Sequence, residues 1–98
     1  MYCKIHEKGG QKVLAACDRE IIGKVLEEKG ACLDLAKYSS FYKGGLCTEK
    51  ELLSKIPLAS SLNLVGKKAV AAGLKSGLFS QKEVKYINGI PHIQIYRI

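Results

Sequence analysis

The sequence contains no apolar run long enough to cross a membrane. Its longest uninterrupted apolar stretch is residues 13–17, whereas a membrane-spanning helix needs about 20 such residues. Near the N-terminus, Lys4, Glu7 and Lys8 interrupt the segment in which a secretory signal would carry its apolar core. We therefore expect a cytoplasmic protein that does not bind a membrane.

Closely spaced metal-binding cysteines are also absent. The four cysteines are Cys3, Cys17, Cys32 and Cys47. No two of them have the C-x-x-C spacing of zinc ribbons and thioredoxin-like proteins. Without a secretory context there is nothing to oxidise them, and most lie in apolar, strand-like runs where cysteine behaves as a small hydrophobic residue. We expect reduced, mostly buried thiols, no metal ion and no cofactor.

A nucleotide-binding phosphate loop is missing as well. Residues 61–68 resemble one at Gly66 and Lys67. However, Ser61 replaces the first glycine, and Lys68 stands where a serine or threonine would bind Mg²⁺. The segment is interpreted instead as part of a helix that begins at Ser60 or Ser61, and the N-terminus of such a helix would hold a single phosphate.

Acidic residues are scarce in the second half of the chain. The sequence has a formal net charge of +7, and residues 50–98 carry eight basic and only two acidic side chains. No acidic residue lies between Glu51 and Glu83. Such an excess of positive charge is typical of a protein that binds a polyanion. A lysine-rich surface that only keeps the protein soluble has the same pattern.

The residues that are present predict one α+β domain over residues 1–98. Period-two alternation and turn residues predict strands at residues 2–8, 11–17, 31–36, 84–87 and 90–98. Residues 24–28 fit either a helix or a strand. Asp18 is a suitable N-cap for a short helical segment over residues 19–22. Thr48 and Glu51 form a capping box for a helix that ends near Ile56.

The resulting order is ββ(α)βααββ. The second main helix is predicted to run from Ser60 or Ser61 to about Ser76, with Gly77 as its stop. Asn88-Gly89 predicts a type I′ hairpin that pairs Lys85 with His92. We expect an antiparallel or mixed sheet, made of two hairpins and a middle strand, with both helices packed on one face.

Four segments carry a family resemblance. They are Cys17-Asp18 with residues 21–24, Phe41-Tyr42 with Gly44-Gly45, residues 63–68, and residues 88–94. The chain resembles, over nearly its whole length, a small archaeal domain-of-unknown-function family, number four hundred and twenty-four. That family ends on a Gly-Val-Pro-His-Ala-Gln strand, in which Ile90 and Ile93 replace Val and Ala here. The resemblance implies a stand-alone archaeal cytoplasmic protein without an assigned activity, associated with translation genes.

Two features favour RNA as the polyanion. The loop over residues 38–45 mixes aromatic rings, a lysine and two glycines, which suits base stacking if Tyr42 is exposed. One face of the final hairpin is predicted to gather tyrosine, lysine, histidine and glutamine, as an RNA-binding sheet does. The candidate nucleic-acid-binding residues are Lys67, Lys68, Lys85, His92, Gln94 and Tyr42. Lysines would contact phosphates, and the other side chains bases or sugars.

Three functions therefore remain open at this point. The first is binding of RNA or a ribonucleoprotein in translation or RNA processing. The second is a protein-interaction or homo-oligomerisation module, with a dimer formed through an unprotected sheet edge. The third is a small enzyme that uses Cys32, Asp34 and either His6 or His92, and the sequence disfavours it because no base is placed beside a nucleophile. No catalytic residue is assigned.

Replacing Gly77 with a β-branched residue should destabilise the protein. If Gly77 ends the second helix in a left-handed conformation, Gly77→Val should lower the free energy of unfolding by more than about 1 kcal/mol through backbone strain. Thermal denaturation checks this expectation. An unchanged melting temperature would show that the helix ends elsewhere.

Overall fold

The computed structural model describes residues 1–96. Its elements in chain order are β1 (Tyr2–Lys8), β2 (Gln11–Cys17), β3 (Val25–Glu28), β4 (Ala31–Asp34), α1 (Ser39–Tyr42), β5 (Gly45–Leu46), α2 (Glu49–Lys55), β6 (Ser61–Val65), α3 (Lys67–Leu74), β7 (Lys85–Ile87) and β8 (Ile90–Tyr96). Short 3₁₀ helices lie at Ile56–Leu58 and Gln81–Glu83. The last two residues of the predicted final strand lie outside the described residues.

Six strands form one mixed sheet in the order β5-β1-β2-β6-β8-β7, and β3 and β4 form a separate hairpin. The pair β2–β6 is parallel, whereas the other neighbours in the large sheet are antiparallel. Positive φ angles of 50° at Asn88 and 77° at Gly89 match the predicted turn. Lys85 pairs with His92 as expected. The predicted α+β class and both hairpins are confirmed.

The helix predicted to begin at Ser60 or Ser61 is wrong. Residues Ser61–Val65 form the central strand β6, and the helix starts only at Lys67. Serines are good N-caps, which made this start plausible from the sequence. The strand lies between its parallel neighbour β2 and its antiparallel neighbour β8. Both of its faces are buried, so its apolar residues do not alternate clearly with polar ones. The true order therefore contains a strand between the two main helices.

Both main helices pack on one face of the six-stranded sheet, as predicted. The buried cluster on this face includes Leu14, Ala16, Leu52, Ile56, Leu62, Leu64, Ala69, Val70 and Ile93. The other face was expected to be open, and this is wrong. A second buried cluster, containing Ala15, Cys17, Leu26, Leu35, Tyr42, Val65 and Ile87, joins that face to the β3–β4 hairpin and α1.

Asp18 caps a different helix from the one predicted. Residues 19–22 form turns and no helix. The Asp18 carboxylate instead accepts hydrogen bonds from the backbone N–H groups of Lys68 at 2.9 Å and Ala69 at 2.8 Å, at the N-terminus of α3. Gly66, with φ of +109°, makes the tight approach possible, because a Cβ there would lie 2.3 Å from Cγ of Asp18. A carboxylate at this position also interacts favourably with the helix dipole.

The cysteine expectation is confirmed for three residues and wrong for one. All four thiols are free, and Cys3, Cys17 and Cys47 are buried. Cys32 is exposed in β4, a strand of the small outer hairpin. The strand predicted over residues 31–36 stops at Asp34, and the ambiguous residues 24–28 contribute the strand Val25–Glu28.

Gly77 has the expected left-handed conformation, with φ of +76°. Its N–H donates to the carbonyl of Leu74, the last residue of α3. No helix among residues 1–96 has the length and apolar character that a membrane span requires.

Removing the Asp18 carboxylate should destabilise the whole fold. Asp18→Ala leaves two backbone N–H groups of α3 without their acceptor in a site where Asp18 is only 6 % exposed. We expect the free energy of unfolding to fall by about 2 kcal/mol in urea denaturation. Glu20→Ala is the matched control, because Glu20 lies at the same helix end but pairs with Lys68 in solvent. Equal stability of the two variants would contradict the capping role.

Candidate nucleic-acid interface

A cleft of about 380 Å³ lies between the large sheet and the segment that joins β4 to α1. Its lining residues are Cys32, Leu33, Asp34, Tyr38, Phe41, Tyr42, Asn63 and Gln94. Oδ1 of Asp34 accepts hydrogen bonds from the backbone N–H groups of Ala36 at 3.0 Å and Lys37 at 2.7 Å, which turns the chain out of β4. The volume lies within the range of small-ligand sites.

Two carboxamides from neighbouring strands line the cleft. Asn63 of β6 and Gln94 of β8 are direct cross-strand partners, so their side chains leave the same face of the sheet. The Tyr42 hydroxyl donates to Oδ1 of Asn63 at 2.9 Å. This bond fixes the orientation of the Asn63 amide and leaves its two N–H donors for other partners.

The environment of Tyr42 keeps it a hydrogen-bond donor. Tyr42 is only 3 % exposed. Burial, followed by the nearby Cys17, raises the pKa of Tyr42 to about 12. The phenol is therefore protonated at neutral pH, and its bond to Asn63 persists. Its ring is enclosed, so the base-stacking role considered for an exposed Tyr42 is not available to it.

Aromatic rings form the opposite wall. Phe41 stacks on His6 with ring centres 4.4 Å apart and meets Tyr42 edge-on at 5.2 Å. Nε2 of His6 donates to the Phe41 carbonyl at 2.8 Å, which ties α1 to β1. Tyr38 is 55 % exposed, and Nζ of Lys37 lies 5.4 Å from its ring centre. Tyr38 is therefore the accessible ring among the residues that line the cleft.

The other predicted binding residues lie near one end of the sheet. His92 and Lys85 are cross-strand partners. Gln94 is two residues from His92 along β8, so all three side chains lie on the same sheet face. Burial, followed by the charge of Lys85, lowers the pKa of His92. The imidazole is neutral at pH 7 and offers one donor and one acceptor.

Lys67 and Lys68 lie at the start of α3, beside the beginning of β8. The N–H of Gly66 donates to the Pro91 carbonyl at 2.8 Å. This turn therefore lies beside Pro91, the residue that precedes His92. Lys68 forms an ion pair with Glu20 at 3.1 Å. The predicted phosphate site at a helix N-terminus near Ser60 is wrong, because a strand begins there. At the true N-terminus the Asp18 carboxylate already accepts from two of the N–H groups.

The predicted nucleic-acid-binding residues did not include Asp34, Tyr38 or Asn63, and Asp34 was considered only for catalysis. Asn63 carried a usable signal, because it is the only polar side chain between Leu62 and Val65. If the segment is read as a strand, Asn63 lies on the other sheet face from Leu62 and Leu64. It then shares a face with the predicted residue Gln94.

The groups considered for catalysis do not form a nucleophile–base pair. Cys32 and Asp34 both line the cleft. His6, however, donates a hydrogen bond from Nε2 to the backbone carbonyl of Phe41. Within residues 1–96, no hydrogen bond joins Cys32 to a histidine. Burial, followed by the charge of Asp18, raises the pKa of the Cys17 thiol to about 12, which disfavours its nucleophilic thiolate form. The described residues also contain no cluster of three metal-ligating side chains.

These features define a small, basic α+β protein whose mixed sheet carries two helices on one face and an amide- and aromatic-lined cleft on the other. The chain belongs to the family described as "Protein of unknown function (DUF424)", whose model matches residues 6–98. This confirms the resemblance seen in the sequence. A similar solved structure is that of an uncharacterized conserved protein from Methanopyrus kandleri, with 28% sequence identity and a TM-score of 0.84. The match covers 99% of this chain and 90% of that chain. No functionally curated protein matches.

Tyr42 should make the fold sensitive to alkali. Because its folded pKa of about 12 exceeds the ordinary value of 10.0, the stabilisation is complete below about pH 10 and is lost as the pH rises through 12. Denaturation at several pH values should show a steeper loss of stability for the wild type than for Tyr42→Phe. Phenolate absorbance should show a late-ionising tyrosine that is missing in the variant. Identical curves for the two proteins would contradict the burial of Tyr42 against Asn63.

Proposed function

We propose that this protein binds single-stranded RNA at the cleft-bearing face of its sheet. The observation that carries the proposal is the cleft itself, in which the carboxamides of Asn63 and Gln94 lie near the rings of Tyr38 and Phe41. Proteins read unpaired bases with this combination, in which aromatic side chains stack on the base and amides bind its edges. A volume of about 380 Å³ accommodates one base with part of its ribose.

The stacking surface in this proposal is Tyr38. It is more than half exposed at the cleft, whereas Phe41, a residue of α1, is half-buried and already stacks on His6. Lys37 beside Tyr38 adds a positive charge next to the ring. Stacking of a base on an aromatic side chain contributes about 1–3 kcal/mol and tolerates every base.

Further bases and phosphates follow the sheet from Gln94 toward His92 and Lys85. Neutral His92 offers both a donor and an acceptor to a base or a ribose hydroxyl, and Lys85 offers a positive charge one strand away. Lys67 lies at the same end of the sheet but beside Pro91, on the face that carries α2 and α3, so it contributes less than Lys85. Lys68 contributes less, because Glu20 already neutralises it. The formal net charge of +7 favours the approach of any polyanion.

Charge reversal along this path should reduce both RNA affinity and its dependence on salt. Lys85→Glu should lower the slope of log Kd against log salt by about 0.7, because it removes one phosphate contact on a single strand. Anisotropy titrations of a labelled RNA of about eight nucleotides measure this slope. Gln94→Ala, in the same titration, should weaken binding without changing the slope.

Lys50→Glu is the control for net charge. Lys50 is an exposed lysine of α2, on the sheet face opposite the cleft. Lys50→Glu changes the total charge as Lys85→Glu does, and it should retain the wild-type slope. If the wild-type protein fails to bind RNA at low salt, where electrostatic association is strongest, the proposal is wrong. The interaction-module hypothesis then replaces it, and apolar self-association would show little salt dependence.

A further inference from the structure

The residues that line the cleft include one acid, Asp34. Its Oδ1 accepts the two backbone hydrogen bonds that form the turn after β4. Its second oxygen, Oδ2, has no hydrogen-bonding partner among residues 1–96. The cleft therefore offers a charged acceptor whose position the turn has already fixed. A carboxylate here also repels phosphate, so the chemistry suits a base inside the cleft with phosphates outside it.

Two further polar side chains of the cleft are a fixed donor and an adaptable amide. Oδ1 of Asn63 already accepts from Tyr42, so Asn63 presents N–H donors. The amide of Gln94, its cross-strand partner, supplies either a donor or an acceptor. A complementary base edge needs two neighbouring donors for the carboxylate and one acceptor for the Asn63 amide.

Guanine is the common base with that edge. Its N1–H and 2-amino groups are adjacent donors, and O6 beside them is an acceptor. Adenine and cytosine each present one amino donor next to ring acceptors, and uracil presents a single N–H between two carbonyls. We infer that the cleft selects an unpaired guanine, with Oδ2 of Asp34 accepting from both N1–H and the 2-amino group and Asn63 donating to O6. This inference rests on the proposed function, because it names the base that the RNA delivers to the cleft.

The test compares RNAs that differ in one base. The probes are oligouridylates of about eight nucleotides that carry guanine, inosine, adenine or uracil at a central position. Inosine lacks only the 2-amino group of guanine. The wild-type protein should bind the guanine probe roughly tenfold more tightly than the inosine, adenine and uracil probes, since hydrogen bonds to a charged acceptor discriminate strongly.

Asp34→Asn separates recognition from structure. The asparagine side chain keeps an oxygen for the N–H groups of Ala36 and Lys37 but replaces Oδ2 with a donor. The variant should bind the guanine and inosine probes equally, whereas a purely structural role for Asp34 would weaken both by the same factor. Glu27→Gln is the matched control, because Glu27 is an exposed acid of the same hairpin that does not line the cleft. It should keep the full preference for guanine.

Each remaining result overturns a specific statement. Equal wild-type affinity for all four probes overturns the selection of guanine and leaves RNA binding in place. A guanine preference that persists in Asp34→Asn overturns the assignment of Asp34. Absence of binding to every probe at low salt overturns the proposed function, and the guanine inference fails with it.

Discussion

The carboxylate of Asp18 connects the sheet to the helix layer, and the central part of the fold depends on this contact. Asp18 follows β2, whose parallel neighbour β6 ends at Val65 and leads through Gly66 into α3. The backbone N–H of Asp18 donates to the Val65 carbonyl at 3.0 Å, and its carboxylate accepts from two N–H groups of α3. One residue thus fixes both the register of the parallel strands and the start of the helix. Because a Cβ at Gly66 would collide with Asp18, the two positions constrain each other.

The parallel pair also explains why a cleft exists on the other face of the sheet. Parallel strands cannot be joined by a tight turn, so the chain between β2 and β6 makes a long connection. That connection contains the β3–β4 hairpin and α1, which cover part of the face opposite α2 and α3. The cover contacts β1 and β2 through α1 and the outer strand β7 through the hairpin. Asn63 and Gln94, on the strands between, remain at the edge of the covered area and line the cleft.

The sequence predicted the local elements well and the long-range ones poorly. Turn residues at Asn88-Gly89 and the capping box at Thr48 act within a few residues, so their effects can be read directly, and both are observed. The start of α3 depends on Asp18, fifty residues earlier in the chain, and no local pattern shows such a partner. The strand Ser61–Val65 has the same limit, because its burial on both faces removes the alternation that identifies a strand.

The candidate site shows the same division between local and distant information. Gln94 and His92 were selected because a single hairpin defines which face they occupy. Tyr42 was assigned to stacking, but its partner Asn63 belongs to a strand that the sequence did not reveal, and the ring is buried in the second apolar cluster. Asp34 appeared only as a residue of a possible catalytic group, since its place beside Asn63 and Gln94 depends on the long connection between the parallel strands.

The exposed lysines and the carboxylates of Asp18 and Asp34 together limit which ligands can bind and where. The excess of lysines makes the surface attractive to polyanions, yet the N-terminus of α3 and the cleft each carry a carboxylate. Asp18 occupies the helix N-terminus, where an anion would otherwise bind, and Asp34 lies in the cleft. In the proposed RNA complex, phosphates are therefore confined to exposed lysines such as Lys85, where contacts are weakened by salt and carry no sequence information. Discrimination between ligands must come from the uncharged amides, the exposed ring of Tyr38 and the one carboxylate in the cleft.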